Sequence, residues 1–222
     1  VLAVGDVNIV GAVHSHAGSA PLALEFDNQG DVWDPQVAMS NAGNTVLTWL
    51  SYAAGVNNVW GRSCGLAGCS GDGGVLLESS SQDATSPRIG IRGNGEAIIV
   101  WIQPSTGTSS LWSVRYDGGA FGTPQTFASG SSIDSLRLGV GDYGGSGVAT
   151  WTQSGSIYRQ VLLTGSATWE DAGIVAGSNP TSFGPDVAVD YDGNGIIVWA
   201  QGNVIRLTKM NSAGTESISQ AR

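Results

Sequence analysis

Along the chain, short stretches alternate large apolar residues with small or polar ones. Each is followed by a glycine or asparagine turn and then an apolar run ending in tryptophan. Pro185-Asp186-Val187-Ala188-Val189 passes through Gly193-Asn194 to Ile196-Ile197-Val198-Trp199. Pro35-Gln36-Val37-Ala38-Met39 leads to Val46-Leu47-Thr48-Trp49, and Pro87-Arg88-Ile89-Gly90-Ile91 to Ile98-Ile99-Val100-Trp101. Leu136-Arg137-Leu138-Gly139-Val140 leads in the same way to Val148-Ala149-Thr150-Trp151. Alternation with period two is the mark of a strand. A third strand is expected at Val59-Trp60, Leu111-Trp112, Ile157-Tyr158 and Val204-Ile205. A fourth is expected at Val75-Leu76-Leu77, Gln125-Thr126-Phe127, Gly173-Ile174-Val175 and Glu216-Ser217-Ile218-Ser219. No segment sustains a helical period.

The tryptophans lie 52, 50 and 48 residues apart, the spacing of propeller blades. A degenerate fifth copy opens the chain: Leu2-Ala3-Val4 and Gly11-Ala12-Val13-His14 align without a gap to Val187-Ala188-Val189 and Ile196-Ile197-Val198-Trp199. The expectation is a single all-β domain over residues 1–222, a five-bladed β-propeller of four-stranded antiparallel blades. The blades fall at about 1–33, 34–85, 86–134, 135–184 and 185–222. Ala3, Ala38, Gly90, Gly139 and Ala188 share one register of the first strand, where strands crowding an axis leave room only for small side chains. A two-sheet sandwich is the alternative, and it would not demand the long period. The copies start in phase, so ring closure is expected to rest on packing, unless the chain is cut from a longer one.

Composition narrows the function. Nine Lys and Arg against 18 Asp and Glu give a net charge of −9. That balance argues against a nucleic-acid surface, which needs a basic patch, and against anionic lipid. No apolar run reaches the ~18 residues of a membrane span. The chain starts at Val1 without a secretory leader, so a signal peptide is expected to have been removed or never present.

The string Pro-x-Val-Ala-Val-x-x-x-Gly-Asn-x-x-x-x-Trp resembles a repeat found in secreted and cell-surface bacterial proteins. That resemblance covers nearly the whole chain and implies an extracellular β-propeller, and it carries no catalytic motif. By architecture, five-bladed propeller lectins and several glycoside hydrolase families are similar, but none of the lectins' sugar-binding motifs is present.

Cys64 and Cys69 flank four residues in one hairpin and are expected to form a disulfide, which points to an extracellular, periplasmic or cell-surface location. Zinc would need partner ligands nearby, and the only histidines, His14 and His16, lie far upstream. Those two alternate onto one strand face, where a metal pair competes with the plainer account of His14 filling the tryptophan position. Asp190, Asp192 and Asn194 match the opening of a calcium loop, but the closing carboxylate is missing, and a tight turn explains the same residues. No cofactor is therefore expected, with calcium the one candidate.

Glycoside hydrolysis needs two facing carboxylates. The first strands carry Gln36, Arg88, Arg137 and Asp186, and Asp34, Asp83 and Asp134 precede them at different distances, so no paired-acid signature emerges. A serine hydrolase elbow is absent. The four repeat tryptophans read as packing residues. Trp33 and Asp34 form a candidate sugar platform, an apolar ring beside a hydrogen-bonding carboxylate, with Trp33 plugging a gap between blades as the equal alternative. Tyr52 and Asn57 join them, because the segments after Trp49 and Trp101 read as the longer loops of one face, and Trp60 and Trp112 because they stand on the more peripheral third strand. The function expected is a non-catalytic extracellular module binding glycan or a cell-surface protein. The alternatives are a structural subunit of a larger surface assembly and, more distantly, a glycoside-hydrolase-like enzyme.

Overall fold

The computed structural model describes residues 10–11, 22–23, 30–53, 55–65, 68–69, 73–78, 80–142, 146–163, 165–175 and 177–217. The described residues are all-β, with no helix among them. Four antiparallel sheets follow one another along the chain. Their innermost strands are β3 (Val32–Met39), β8 (Thr85–Ile91), β12 (Ile133–Val140) and β16 (Ser182–Val189). Each pairs with a tryptophan-bearing strand: β4 (Thr45–Ala53), β9 (Ala97–Ser105), β13 (Gly147–Gln153) or β17 (Gly195–Gln201). The third strands are β5 (Val56–Gly65), β10 (Thr108–Tyr116), β14 (Ser156–Leu162) and β18 (Val204–Met210). The outer edges are β11 (Gln125–Gly130), β15 (Glu170–Ile174) and β19 (Glu216–Ser217). In the first sheet, β6 (Gly68–Cys69) and β7 (Val75–Leu76) both pair with β5. Of the fifth unit expected over residues 1–33, the described residues show one antiparallel pair, β1 (Val10–Gly11) with β2 (Leu22–Ala23). Leu2-Ala3-Val4, His14 and His16 lie outside the described residues.

Successive sheets pack face to face, inner strand beside inner strand. Val46 and Val59 of the first sheet meet Ile99, Trp101 and Val114 of the second. Ile98, Val100 and Leu111 of the second meet Leu136 and Trp151 of the third. Val148, Ile157 and Val161 of the third meet Ile197 and Trp199 of the fourth. Trp101, Trp151 and Trp199 are thus inter-sheet residues, and each such large side chain contributes about 1.5–3 kcal/mol by leaving water.

The small residues of the inner strands have the reason the sequence suggests. A Cβ on Gly90 would come within 2.3 Å of Val140 Cγ2, and one on Gly139 within 2.9 Å of Val189 Cγ2. Both clashes fall on the inner strand of the next sheet, so the crowding is between neighbours.

The two ends of the series differ from its middle. Val59, Leu111 and Ile157 precede the residue opposite the repeat tryptophan, and all three are fully buried. Ile205 holds the same register in the fourth sheet and is 72% exposed. At the other end Val37 and Met39 are 64% and 67% exposed, although their counterparts Ile89 and Ile91 are packed.

Candidate active site

Every inner strand carries the same irregularity. Its pairing with the tryptophan strand slips between Trp33 and Gln36, Thr85 and Arg88, Asp134 and Arg137, and Phe183 and Asp186. Inside each slip one residue takes the left-handed conformation: Asp34 at φ 47°, Ser86 at 53°, Ser135 at 54° and Gly184 at 59°. Three of these four are not glycine, and three are followed by a proline (Pro35, Pro87 and Pro185), which normally holds the preceding residue extended. A bulge re-aims the side chains around it, and such strain persists where the surroundings over-determine it, often at functional sites.

The four bulges bring polar groups to one end of the inner strands. Asp34 Oδ1 accepts a hydrogen bond from Gln36 Nε2 at 2.9 Å, and Arg88 Nη1 of the next sheet reaches Asp34 Oδ2 at 3.4 Å. Both partners of that ion pair are partly buried, and the contact ties the first inner strand to the second. Arg88 Nη1 also donates to Pro87 O at 2.7 Å, and Arg137 Nη1 donates likewise to Leu136 O at 2.9 Å. The two guanidiniums therefore hold the same pose one sheet apart. Asp186 takes that register in the fourth sheet, exposed, with Oδ1 accepting from Val187 N–H at 3.0 Å. Asp134 takes the register of Trp33, and its Oδ1 accepts from Ser135 N–H at 2.6 Å. The rim so formed carries three carboxylates, two guanidiniums and the exposed ring of Trp33.

The remaining expected site residues scatter. Tyr52 and Asn57 pair with each other across β4 and β5, so they are strand residues. This corrects the reading of long loops after Trp49 and Trp101. The extra residues lengthen the β4–β5 and β9–β10 hairpins instead, where the ladder satisfies backbone groups that a loop would leave to water. Asn57 N–H donates to Asp83 Oδ1 at 2.8 Å, which spends that acid on the connection before β8. Trp60 stands opposite Trp49, and Trp112 stacks on Trp101 at 6.4 Å and 13°, away from the rim. Trp169, outside the repeat, stacks on Phe127 at 4.5 Å and donates to Ser113 Oγ.

Cys64 and Cys69 are disulfide-bonded across β5 and β6, as expected. The calcium candidate behaves as a turn. Asp190 Oδ1 accepts from the N–H groups of Asp192 and Asn194, and Oδ2 accepts from Asn194 Nδ2. The Asn194 side chain, then the backbone N–H groups, hold the Asp190 carboxyl below its ordinary value. Its oxygens are aimed into their own turn. Among the described residues no three His, Cys, Asp or Glu side chains gather as a metal would need.

Neither a family model nor a curated protein sequence matches the chain. Solved structures do. A protein of unknown function from Dyadobacter fermentans is similar with a TM-score of 0.57 at 12% identity, over 91% of this chain and 68% of that one. An endo-arabinase from Bacteroides thetaiotaomicron is similar with a TM-score of 0.50 at 14% identity, over 90% and 80%. An exo-β-1,3-galactanase from Phanerochaete chrysosporium gives a TM-score of 0.47 at 11% identity, and the chain spans 55% of its length. The shared feature is a β-propeller-like fold. The likeness to the endo-arabinase overturns the expectation of a non-catalytic module, because this architecture is a hydrolase scaffold there. In the sequence, catalysis is only a distant alternative, because the acids stand at different distances from the repeat motif. The bulge does place Asp34, Asp134 and Asp186 within or beside it on their own strands, at three different registers.

Proposed function

We propose that the chain is a glycoside-hydrolase-like enzyme of the cell exterior, built on a five-bladed propeller and acting on neutral glycan at the inner-strand rim. One observation carries the reading. Asp34 sits at a left-handed bulge, and its two carboxylate oxygens are oriented separately by Gln36 and by Arg88 of the neighbouring sheet. A carboxylate held at both oxygens suits the partner that attacks the anomeric carbon or activates a water. Asp186, in the register of Arg88 and Arg137 and open to solvent, suits the acid that protonates the leaving oxygen. Arg88 and Arg137 are placed to donate to sugar hydroxyls, and Trp33 offers a ring to the apolar face of a sugar. The endo-arabinase likeness supports arabinan as the first polysaccharide to try. The disulfide supports an oxidising compartment. The five-unit ring is supported by the repeat match of residues 1–29 and by the bare faces at Val37, Met39 and Ile205.

The test is reducing-end release from arabinan, galactan and arabinoxylan. Wild type is expected to cleave at least one, and Asp34→Asn and Asp186→Asn to lower the rate by about 100-fold or more. No release from any of the three, or full activity in Asp34→Asn, overturns the proposal.

A further inference from the structure

The inner strands run from the rim to the turns that join them to the tryptophan strands. At that far end a cavity of about 470 Å³ lies between the first sheet and the second, the size of a small-molecule site. Asn44 and Thr45 line it from the β3–β4 turn, and Asn94 and Gly95 from the matching β8–β9 turn. The Cys64–Cys69 bridge and Tyr116 complete the wall. Among the described residues no charged side chain lines it. The acids beside lining residues in sequence are engaged elsewhere. Glu96 pairs with Arg92 at 3.0 Å, and Asp117 Oδ1 accepts from the N–H groups of Gly119 and Ala120.

The polar groups on this wall are open to a ligand. The Tyr116 ring belongs to the core shared by the two sheets and packs on Phe121 at 5.0 Å. Among the described residues nothing hydrogen-bonds to its hydroxyl, and that hydroxyl is not sealed from solvent. A tyrosine buried to this degree ordinarily finds a partner for its O–H. The Asn44 carboxamide is likewise unclaimed and accessible. Asn94 Oδ1 accepts from Glu96 N–H at 3.0 Å, which leaves its Nδ2 to donate. The disulfide spans a sequence separation of only 5, so it constrains the unfolded chain less than a long loop would, and its main effect is to hold the hairpin that forms part of the wall. An ionic ligand would find no counter-charge here, and an apolar one would strip these groups of water without pairing them. A ligand dense in hydroxyls pairs them. We propose that this cavity is a second binding site, taking a unit of a neutral oligosaccharide hydrogen-bonded by Tyr116 and Asn44. The choice of sugar among neutral hydroxylated ligands rests on the glycan-acting reading of the rim. The site itself stands at the other end of the strands and shares no residue with the rim.

Arabinotriose, galactotriose and xylotriose are titrated up to ~10 mM, enough to saturate a millimolar site. The readout is the Asn44 side-chain amide resonance, assigned by its loss in Asn44→Ala. At least one sugar is expected to shift it saturably. Tyr116→Phe, which keeps the ring in the core and removes only the hydroxyl, is expected to weaken that binding about fivefold, the worth of one hydrogen bond. Far-UV circular dichroism checks that this variant stays folded. No saturable shift with any of the three sugars, or unchanged affinity in Tyr116→Phe, overturns the inference. Polysaccharide hydrolysis by wild type is measured beside it. Cleavage without an Asn44 shift sinks this site alone, and a shift without cleavage sinks the rim alone.

Discussion

Two of the repeat tryptophans hand their buried indole N–H to a glutamine two residues later, Trp101 to Gln103 at 3.0 Å and Trp151 to Gln153 at 3.1 Å. The first sheet has Ser51 in that place, too short to reach, and Trp49 Nε1 and Ser51 Oγ are both buried without partners. In the second and third sheets the glutamine is therefore an internal cap for a group that packing strips of water, whereas in the fourth Trp199 Nε1 and Gln201 Oε1 hold the same spacing and are both buried without partners. Gln153→Ala leaves the Trp151 N–H unsatisfied and is expected to cost about 1–3 kcal/mol in urea unfolding. A change under about 0.3 kcal/mol would show that water takes the place of the amide. The Trp-x-Gln spacing stands openly in the sequence. Its meaning does not, because it depends on which face of the strand the second side chain takes. By contrast, the small residues at Gly90 and Gly139 were legible, since repetition in one register points to a shared steric cause.

At the scale of elements, the strands follow the alternation of the sequence closely, while the four bulges escaped it. Asp34-Pro35 and Ser86-Pro87 read as connections, because proline normally forces its predecessor into an extended conformation and a slip of register breaks the period-two signal. Pairing in fact resumes upstream of the bulge, at Val32–Trp33 with Leu50–Ser51 and at Thr85 with Ile102. That is why the rim stayed hidden. The left-handed residue makes a specific prediction. Gly184→Ala places a Cβ at φ 59°, where the surroundings are otherwise open, so only backbone strain is added. A loss of about 1 kcal/mol is expected. Ser135→Gly removes the same strain but loosens the unfolded chain, and the two effects are expected to cancel within about 0.5 kcal/mol. Equal destabilisation by both changes in denaturant titrations would mean that the bulge conformation is not what fixes these positions.

At the scale of the molecule, the decisive quantity is what covers the two end faces. The register that is fully buried in three sheets is bare at Ile205, and Ile196 is 44% exposed where Val46, Ile98 and Val148 are buried. A sheet with one apolar face must bury it against something. If residues 1–29 supply the fifth unit, Ile205 sits inside a sheet-to-sheet interface of the ring. Ile205→Ser is then expected to cost about 2–4 kcal/mol, the loss typical of truncating a buried isoleucine. Ile174 is 53% exposed on the outer strand β15, and nothing in the repeat calls for a partner there. Ile174→Ser is the control, expected within about 0.5 kcal/mol. Equal small effects at both positions would leave the face open and remove the ring. A large cost at Ile205 that scales with protein concentration, with a dimer in sedimentation, would assign the face to a second copy of the chain. Only a concentration-independent loss confined to Ile205 fits an intramolecular fifth unit. That outcome would also explain why copies that begin in phase close without a shared strand: the ring would be held by the same inter-sheet packing that places each repeat tryptophan.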